Sequence, residues 1–196
     1  MHIEEIGPDR LPEYAQVSIA FEVRSILRVE SLDSGWGRGS GGMTLLEQPV
    51  SRPYWKDYDA CDEDGPLTWA RDFDLANWGF FLAVDAGKPV GAAALAHNTP
   101  GVWMLERRSD LAVLWDIRIQ PWARRAGLGR ELFWRAVDWA RQRGCCQVKI
   151  ETQANNVSAC HFYAAQGCEL GAISRYAYAG HLKVSDEVML LWYLDL

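Results

Sequence analysis

Hydrophobic positions in the first half of the chain predict strands together with one helix. Two nearly continuous apolar runs, 79–84 and 89–95, flank a short turn-forming stretch, which is typical of a β-hairpin with buried strands. Residues 43–50 also favour a strand. After a short opening strand, apolar residues at helical spacing predict a helix within residues 11–32, namely Val17, Phe21, Ile26 and Val29.

The second half of the chain alternates predicted strands with predicted helices. Strands are expected at 111–119 and 147–152, and closing strands at 169–178 and 188–194. Between the first two, one helical face carries only apolar residues, namely Leu128, Leu132, Phe133, Ala136, Val137 and Ala140. Asn155 and Asn156 suit the cap of a second helix. The order predicts a mixed α/β sheet in a single domain over residues 1–196, since no linker interrupts it.

Composition narrows the classes of partner. The 196 residues include 20 Lys and Arg against 26 Asp and Glu, a net charge of −6. This balance argues against nucleic acid, whose binding depends on neutralising phosphates, and favours a cationic ligand. No apolar stretch approaches the roughly 18 residues of a membrane span, and the acidic start is unlike a secretory signal. We therefore expect a cytoplasmic protein without membrane contact.

Cysteine usage predicts reduced thiols. The five cysteines are an odd number, contain no C-x-x-C pair and have no histidine at metal-ligand spacing. We expect them to be mostly buried and expect no metal site.

Two polar segments interrupt the apolar pattern. Glycines from 34 to 42 predict a flexible loop over residues 33–42, because glycine is entropically costly in a helix or strand. An acidic segment then carries seven carboxylates opposed by Lys56 and Arg71, namely Asp57, Asp59, Asp62, Glu63, Asp64, Asp72 and Asp74. A solvated loop is the plain expectation for such a run.

The most informative segment is residues 124–130, Arg-Arg-Ala-Gly-Leu-Gly-Arg, between a predicted strand and a predicted helix. The helix begins with glycines and lacks a capping side chain, so its first amides need an outside acceptor. Unpaired N–H groups at a positive helix end form an anion site, and flanking arginines favour phosphate oxygens. The Walker pattern and the dinucleotide fingerprint are both incomplete here. A tight turn with solvent-facing arginines is the alternative.

The same segment carries a family resemblance. Arg124-x-x-Gly127-x-Gly129 resembles the acetyl-CoA pyrophosphate loop of the GCN5-related N-acetyltransferase (GNAT) superfamily, and the similarity extends over residues 80–194. Residues 151–160 with Tyr163 and Gly167 are similar to the streptothricin acetyltransferases, as is the separate stretch 53–58.

The resemblance implies a fold and a cofactor. The fold would be a mostly antiparallel central sheet flanked by helices, and the cofactor acetyl-CoA. Backbone groups of residues 117–119 would bind the pantetheine arm as a strand edge binds an extended ligand. The residues implied in cofactor binding are Ile117, Arg118, Ile119, Arg124, Arg125, Ala126, Gly127, Leu128, Gly129, Arg130, Asn155, Ser158 and Tyr163. Asn155 has the alternative role of a helix cap.

Direct attack on the thioester requires a neutral amine, so a proton acceptor is needed. Asp116 and Glu151 are the candidates, and either is also suited to bind the cation. The alternative is a carboxylate paired with Arg118 or Lys149. Tyr163 would protonate the departing thiolate, with a core tyrosine as its alternative.

The resemblance to streptothricin acetyltransferases implies a small cationic acceptor with a primary amine. Its β-lysine arm would contact acidic and aromatic side chains, namely Tyr54, Asp57, Tyr58, Asp116 and Glu151. Two alternatives stay open: acetylation of a protein N-terminus or lysine, and an acyl-CoA sensor without turnover. Whether the chain is a monomer or a homodimer is also open.

Overall fold

The computed structural model describes residues 1–32, 42–60 and 65–196. They divide into two compact units. The first unit contains residues 1–20, 57–150 and 193–196, and the second contains residues 21–56 and 151–192.

The described residues form nine strands and four α-helices. The strands are β1 His2–Ile6, β2 Phe21–Leu32, β3 Gly42–Lys56, β4 Trp78–Asp85, β5 Lys88–His97, β6 Leu111–Ile119, β7 Gln147–Gln153, β8 Glu169–Ser174 and β9 Met189–Asp195. The helices are α1 Leu11–Tyr14, α2 Trp69–Asp72, α3 Leu128–Gln142 and α4 Val157–Ala165. No helix among the described residues is long and apolar enough to span a bilayer.

The first unit is a mixed sheet with a helix packed on it. Its strands follow the order β1-β4-β5-β6-β7, in which the pairings are antiparallel except that β6 and β7 run parallel. Helix α3 packs on β4, β5 and β6 and buries the apolar face predicted from the sequence. A Cβ on Gly91 of β5 would lie 2.8 Å from the Leu132 side chain, so a glycine there permits close packing of helix on sheet.

Strand β6 bulges where its pairing with β7 ends. Its register with β5 shifts between Ala94, opposite Asp116, and Leu95, opposite Leu114, which leaves Trp115 as the extra residue. The parallel register with β7 stops at the pair Leu114–Ile150. Beyond that pair, within the described part of the chain, the β7-facing edge of β6 has no strand partner. This edge includes the residues predicted to bind an extended ligand.

The second unit combines a long hairpin with the end of a sheet. Strands β2 and β3 pair antiparallel from Phe21–Lys56 to Leu32–Gly42, and helix α4 packs against β2 and β8. Here the strand order is β7-β9-β8. The backbone of Ala154, after β7, donates its N–H to the carbonyl of Val188 and accepts one from Leu27, which ties this turn to both neighbouring segments.

The helix predicted within residues 11–32 is wrong. Only residues 11–14 form α1, and residues 21–32 form β2. Phe21 and Val23 are buried while Glu22 and Arg24 are more exposed, which is the alternation of a strand with one packed face. Pairing with β3 supplies the hydrogen bonds of β2, so tertiary contacts override the apparent helical spacing.

The other predicted elements are confirmed, with small changes at their ends. Strand β8 ends at Ser174 rather than near residue 178. The predicted flexible loop 33–42 lies outside the described residues except for Gly42, which begins β3. Cys145, Cys160 and Cys168 are buried free thiols, Cys146 is an exposed one, and Cys61 is not among the described residues.

Candidate active site

In the first unit, the loop between β6 and α3 presents unpaired amides. Gly127 is the N-cap of α3 with φ of 90°, and no side chain caps the helix. The first helical hydrogen bond runs from the Glu131 N–H to the Gly127 carbonyl, so the amides of residues 128–130 have no acceptor within the helix. A Cβ at Gly127 would meet no atom within 4 Å, so the space beside the N-cap residue is open. The helix end therefore has the geometry of an anion site.

The two adjacent arginines differ in role. The Arg124 guanidinium donates to the carbonyl of Ile119 at 2.9 Å and to that of Ala20 at 2.7 Å. Burial lowers the pKa of Arg124, and its side chain fastens the loop to the end of β6. Arg125 is exposed with φ of 64°, and Arg130 is also exposed. These two side chains are the ones free to meet phosphate oxygens.

A buried ion-pair cluster surrounds Asp116. Its carboxylate accepts hydrogen bonds from Arg118 at 2.9 and 2.5 Å and from the Tyr14 hydroxyl at 2.8 Å. Arg118 also binds the Asp59 carboxylate at 2.6 and 3.3 Å. The Asp116 side chain is 6% exposed. The pairing with Arg118 left open from the sequence is therefore present, and it favours a structural role for Asp116 over that of a proton acceptor.

Charge and burial act oppositely on Arg118. Burial works to lower its pKa, but Asp116, Tyr14 and Asp59 together outweigh this effect and hold the pKa well above its ordinary value. Tyr14 is fully buried, and burial together with Asp116 raises the pKa of its phenol. The cluster thus combines a permanent cation with a neutral tyrosine.

Sequence reasoning missed Tyr14 and the contact of Asp59. Both are more than 50 positions from Arg118 in the chain, so no local spacing indicated them. Asp57 is exposed and Tyr58 is half-buried. Asp57 accepts the backbone N–H of Asp59 at 3.0 Å.

In the second unit, Glu151 accepts a hydrogen bond from a tyrosine. The Tyr178 hydroxyl donates to its carboxylate at 2.5 Å, and the Gln153 amide donates to the Tyr178 oxygen at 2.8 Å. The alternative partner Lys149 instead pairs with Glu106 at 2.6 Å. Glu151 is half-buried, and its role as the proton acceptor stays a prediction. Tyr178 was not predicted, because it lies in an irregular segment after β8.

At the start of α4, Asn155 and Asn156 have different contacts. Asn156 is the helix cap and accepts the Ala159 N–H at 3.2 Å. The capping role considered for Asn155 is therefore filled by its neighbour. Asn155 is 9% exposed, and its side-chain oxygen has no partner among the described residues. A buried acceptor without a donor fits a ligand-binding role.

Three further predicted residues also lie in the second unit. Ser158 is exposed in the first turn of α4, and Tyr163 is buried later in the same helix. Tyr54 lies near the end of β3 with 44% of its surface exposed.

Comparisons with known proteins identify a family. The model of the acetyltransferase (GNAT) family matches residues 47–168. The chain is 31% identical to a streptothricin acetyltransferase of Escherichia coli over 95% of this chain and 91% of that protein. It is 29% identical to streptothricin acetyltransferase A of Bacillus subtilis, covering 79% of this chain and 80% of the relative.

Solved structures show the same fold. A Bacillus anthracis protein in complex with acetyl coenzyme A has a TM-score of 0.75 at 23% identity and covers 100% of this chain and 97% of its own. A nourseothricin acetyltransferase also has a TM-score of 0.75 at 22% identity, covering 99% and 97%. The family match and the nearly full-length relative assign this chain to the GNAT acetyltransferase family, whose members are N-acetyltransferases that use acetyl-CoA.

Proposed function

We propose that this acetyltransferase transfers an acetyl group from acetyl-CoA to a primary amine of a streptothricin-type antibiotic. The observation that carries the proposal is the 31% identity to the Escherichia coli streptothricin acetyltransferase over almost the whole chain. The acidic balance of −6 and the exposed Asp57 suit a cationic acceptor.

The residues present fit the cofactor. In the first unit, the uncapped amides of α3 and the open space at Gly127 suit a diphosphate, with Ala126, Leu128 and Gly129 contributing backbone. The unpaired edge at residues 117–119 suits the pantetheine arm. In the second unit, the unpartnered oxygen of Asn155 suits an amide N–H donor. When bound, acetyl-CoA supplies the activated acetyl thioester.

The chain's own residues would then transfer the protons of the reaction. Glu151, held by Tyr178, binds the ammonium of the acceptor and takes its proton, directly or through water, leaving the neutral amine that attacks. Tyr163 would give its phenol proton to the departing sulfur, and the second proton that the nitrogen loses as the amide forms would return to the Tyr163 oxygen, directly or through water. No covalent intermediate with the protein is required.

Thiol release tests the proposal directly. The protein is incubated with acetyl-CoA and streptothricin, other aminated antibiotics, or peptides with free N-termini, and free thiol is measured. We expect release with streptothricin. Release with peptides alone would contradict the substrate class, and absence of release with every acceptor would favour the sensor alternative.

A pair of glycine variants tests the cofactor site. Gly127→Asp places a carboxylate in front of the helix amides and should abolish binding of acetyl-CoA. Gly87→Asp is the matched control, because Gly87 also has a positive φ, of 78°, and open space at its Cβ, but lies in the β4–β5 turn. Equal acetyl-CoA affinities in the two variants would show that the loop is not the phosphate site.

We also propose a cytoplasmic location, where acetyl-CoA is available and the free cysteines stay reduced. Fractionation of the cells that make the protein, followed by detection with an antibody, would test it.

A further inference from the structure

Arg118 uses every N–H group of its guanidinium. Nε and Nη2 donate to the two oxygens of Asp116, at 2.9 and 2.5 Å. Nη1 and Nη2 donate to the two oxygens of Asp59, at 2.6 and 3.3 Å, and Nη1 also donates to the Val17 carbonyl at 3.2 Å. The side chain is 2% exposed. A guanidinium offers five donors in a planar fork, and here all of them have acceptors.

The two carboxylates come from different parts of the first unit. Asp116 and Arg118 are two positions apart on β6 and share one face of the strand. Asp59 belongs to the irregular acidic segment after β3, and the Asp59 backbone N–H in turn binds the Asp57 carboxylate at 3.0 Å. The guanidinium therefore fastens Asp59 to β6, and Asp59 fixes the turn that carries Asp57 and Tyr58.

Charge in this cluster is incompletely neutralised. One guanidinium faces two carboxylates, and the exposed Asp57 adds a third negative charge next to them. An ammonium group would be attracted to this surface, whereas an anionic acceptor would be repelled.

We propose that Arg118 is a positioning residue that selects cationic acceptors by holding the Asp57–Asp59 turn against β6. The inference rests on the proposed function and deepens it. It assigns recognition of the acceptor to the turn at residues 57–59, which the buried Arg118 side chain holds in place. Arg118 does not touch the acceptor. It acts through Asp59, and Asp57 and Tyr58 make the contact.

Lysine would not replace this arginine. An ammonium has three donors on one atom and cannot bind two carboxylates bidentately at the same time. Arg118→Lys should therefore keep the charge and release the turn.

The decisive variant is Asp59→Asn, which removes the charged, two-oxygen acceptor that binds Arg118 to the turn and leaves the Arg118–Asp116 pair in place. Its matched control is Asp72→Asn, which removes one carboxylate from the same acidic stretch but from an exposed pair with Arg71. Thiol release with streptothricin and acetyl-CoA gives KM for each substrate, and hydrogen exchange reports the amides of residues 57–60.

For Asp59→Asn we expect KM for the acceptor to rise roughly tenfold or more, with KM for acetyl-CoA nearly unchanged. Exchange at residues 57–60 should quicken, while Asp72→Asn should match the parent protein in both measurements. Arg118→Lys should shift the acceptor KM in the same direction as Asp59→Asn.

Three results would contradict the positioning role of Arg118. An unchanged acceptor KM, an equal rise in both KM values, or unchanged exchange at residues 57–60 would overturn the positioning role. If the parent protein releases no thiol with streptothricin, the proposed function fails and the acceptor role of the turn fails with it, while the exchange measurement still decides whether Arg118 holds the turn.

Discussion

The two candidate carboxylates, one in each unit, have different surroundings. Asp116 is buried and bound by a guanidinium and a tyrosine, so both of its oxygens are occupied. Glu151 is half-buried and receives its described hydrogen bonds from the neutral groups of Tyr178 and Gln153. Residue type and strand position alone had made them equal candidates.

The neighbours of a carboxylate decide how readily it can take a proton. A buried carboxylate beside a guanidinium gains little by taking a proton, because protonation would leave the guanidinium unpaired. A carboxylate held by neutral donors keeps its orientation and can still accept a cation and a proton. We therefore propose Glu151 as the proton acceptor, because Asp116 is already bound by a guanidinium.

The largest expected effect is the loss of kcat when Glu151 is replaced. Glu151→Gln keeps the shape of the side chain but removes the proton acceptor, so kcat at saturating acceptor should fall about 10²–10⁴-fold. The unfolding free energy should change little by comparison. A kcat within a factor of about two of the parent value would show that Glu151 is not the base.

Removal of Arg118 should act mainly on stability. Arg118→Ala leaves Asp116 and Asp59 without their cation, and breaking a buried pair in this way costs about 3–5 kcal/mol of unfolding free energy. Urea denaturation measures it. Arg71→Ala, which breaks an exposed pair with Asp72, should leave the urea midpoint nearly unchanged. Similar midpoints for the two variants would contradict the structural role of the Asp116 cluster.

The uncapped start of α3 was predictable because its signal is local. Glycines that open a helix without a cap leave unpaired amides wherever they occur, so residues 124–130 could be interpreted from the sequence alone. The flanking elements β6 and α3 were likewise predicted, because their apolar patterns are continuous and unambiguous.

The surroundings of the two candidate carboxylates depend on contacts that no local pattern carries. Arg118 meets Asp59 at a separation of 59 positions and Val17 at 101, and Tyr178 meets Glu151 at 27. The strand β2 was misassigned for a similar reason, since its hydrogen bonds come from β3 rather than from its own residues. Such contacts follow only from the tertiary fold.

A smaller effect is expected from the partner of Glu151. Tyr178→Phe removes the hydroxyl that orients the carboxylate, and loss of one hydrogen bond to a charged group should lower kcat roughly tenfold, with KM for acetyl-CoA unchanged. Tyr176→Phe is the matched control, since Tyr176 is 76% exposed on the same segment. Equal kcat values for the two variants would remove Tyr178 from the site.

The smallest effect concerns Tyr14, the tyrosine bound to Asp116, and it appears only at alkaline pH. Burial and the Asp116 carboxylate raise the pKa of Tyr14 above that of the unfolded chain, so above about pH 10 the unfolded state loses this proton while the folded state keeps it. The unfolding free energy should therefore fall with rising pH there, by up to about 1.4 kcal/mol per pH unit from this group. Tyr14→Phe should flatten that slope in urea titrations between pH 9 and 11, and Tyr176→Phe should not. A slope that persists in Tyr14→Phe would show that another group causes the alkaline loss of stability.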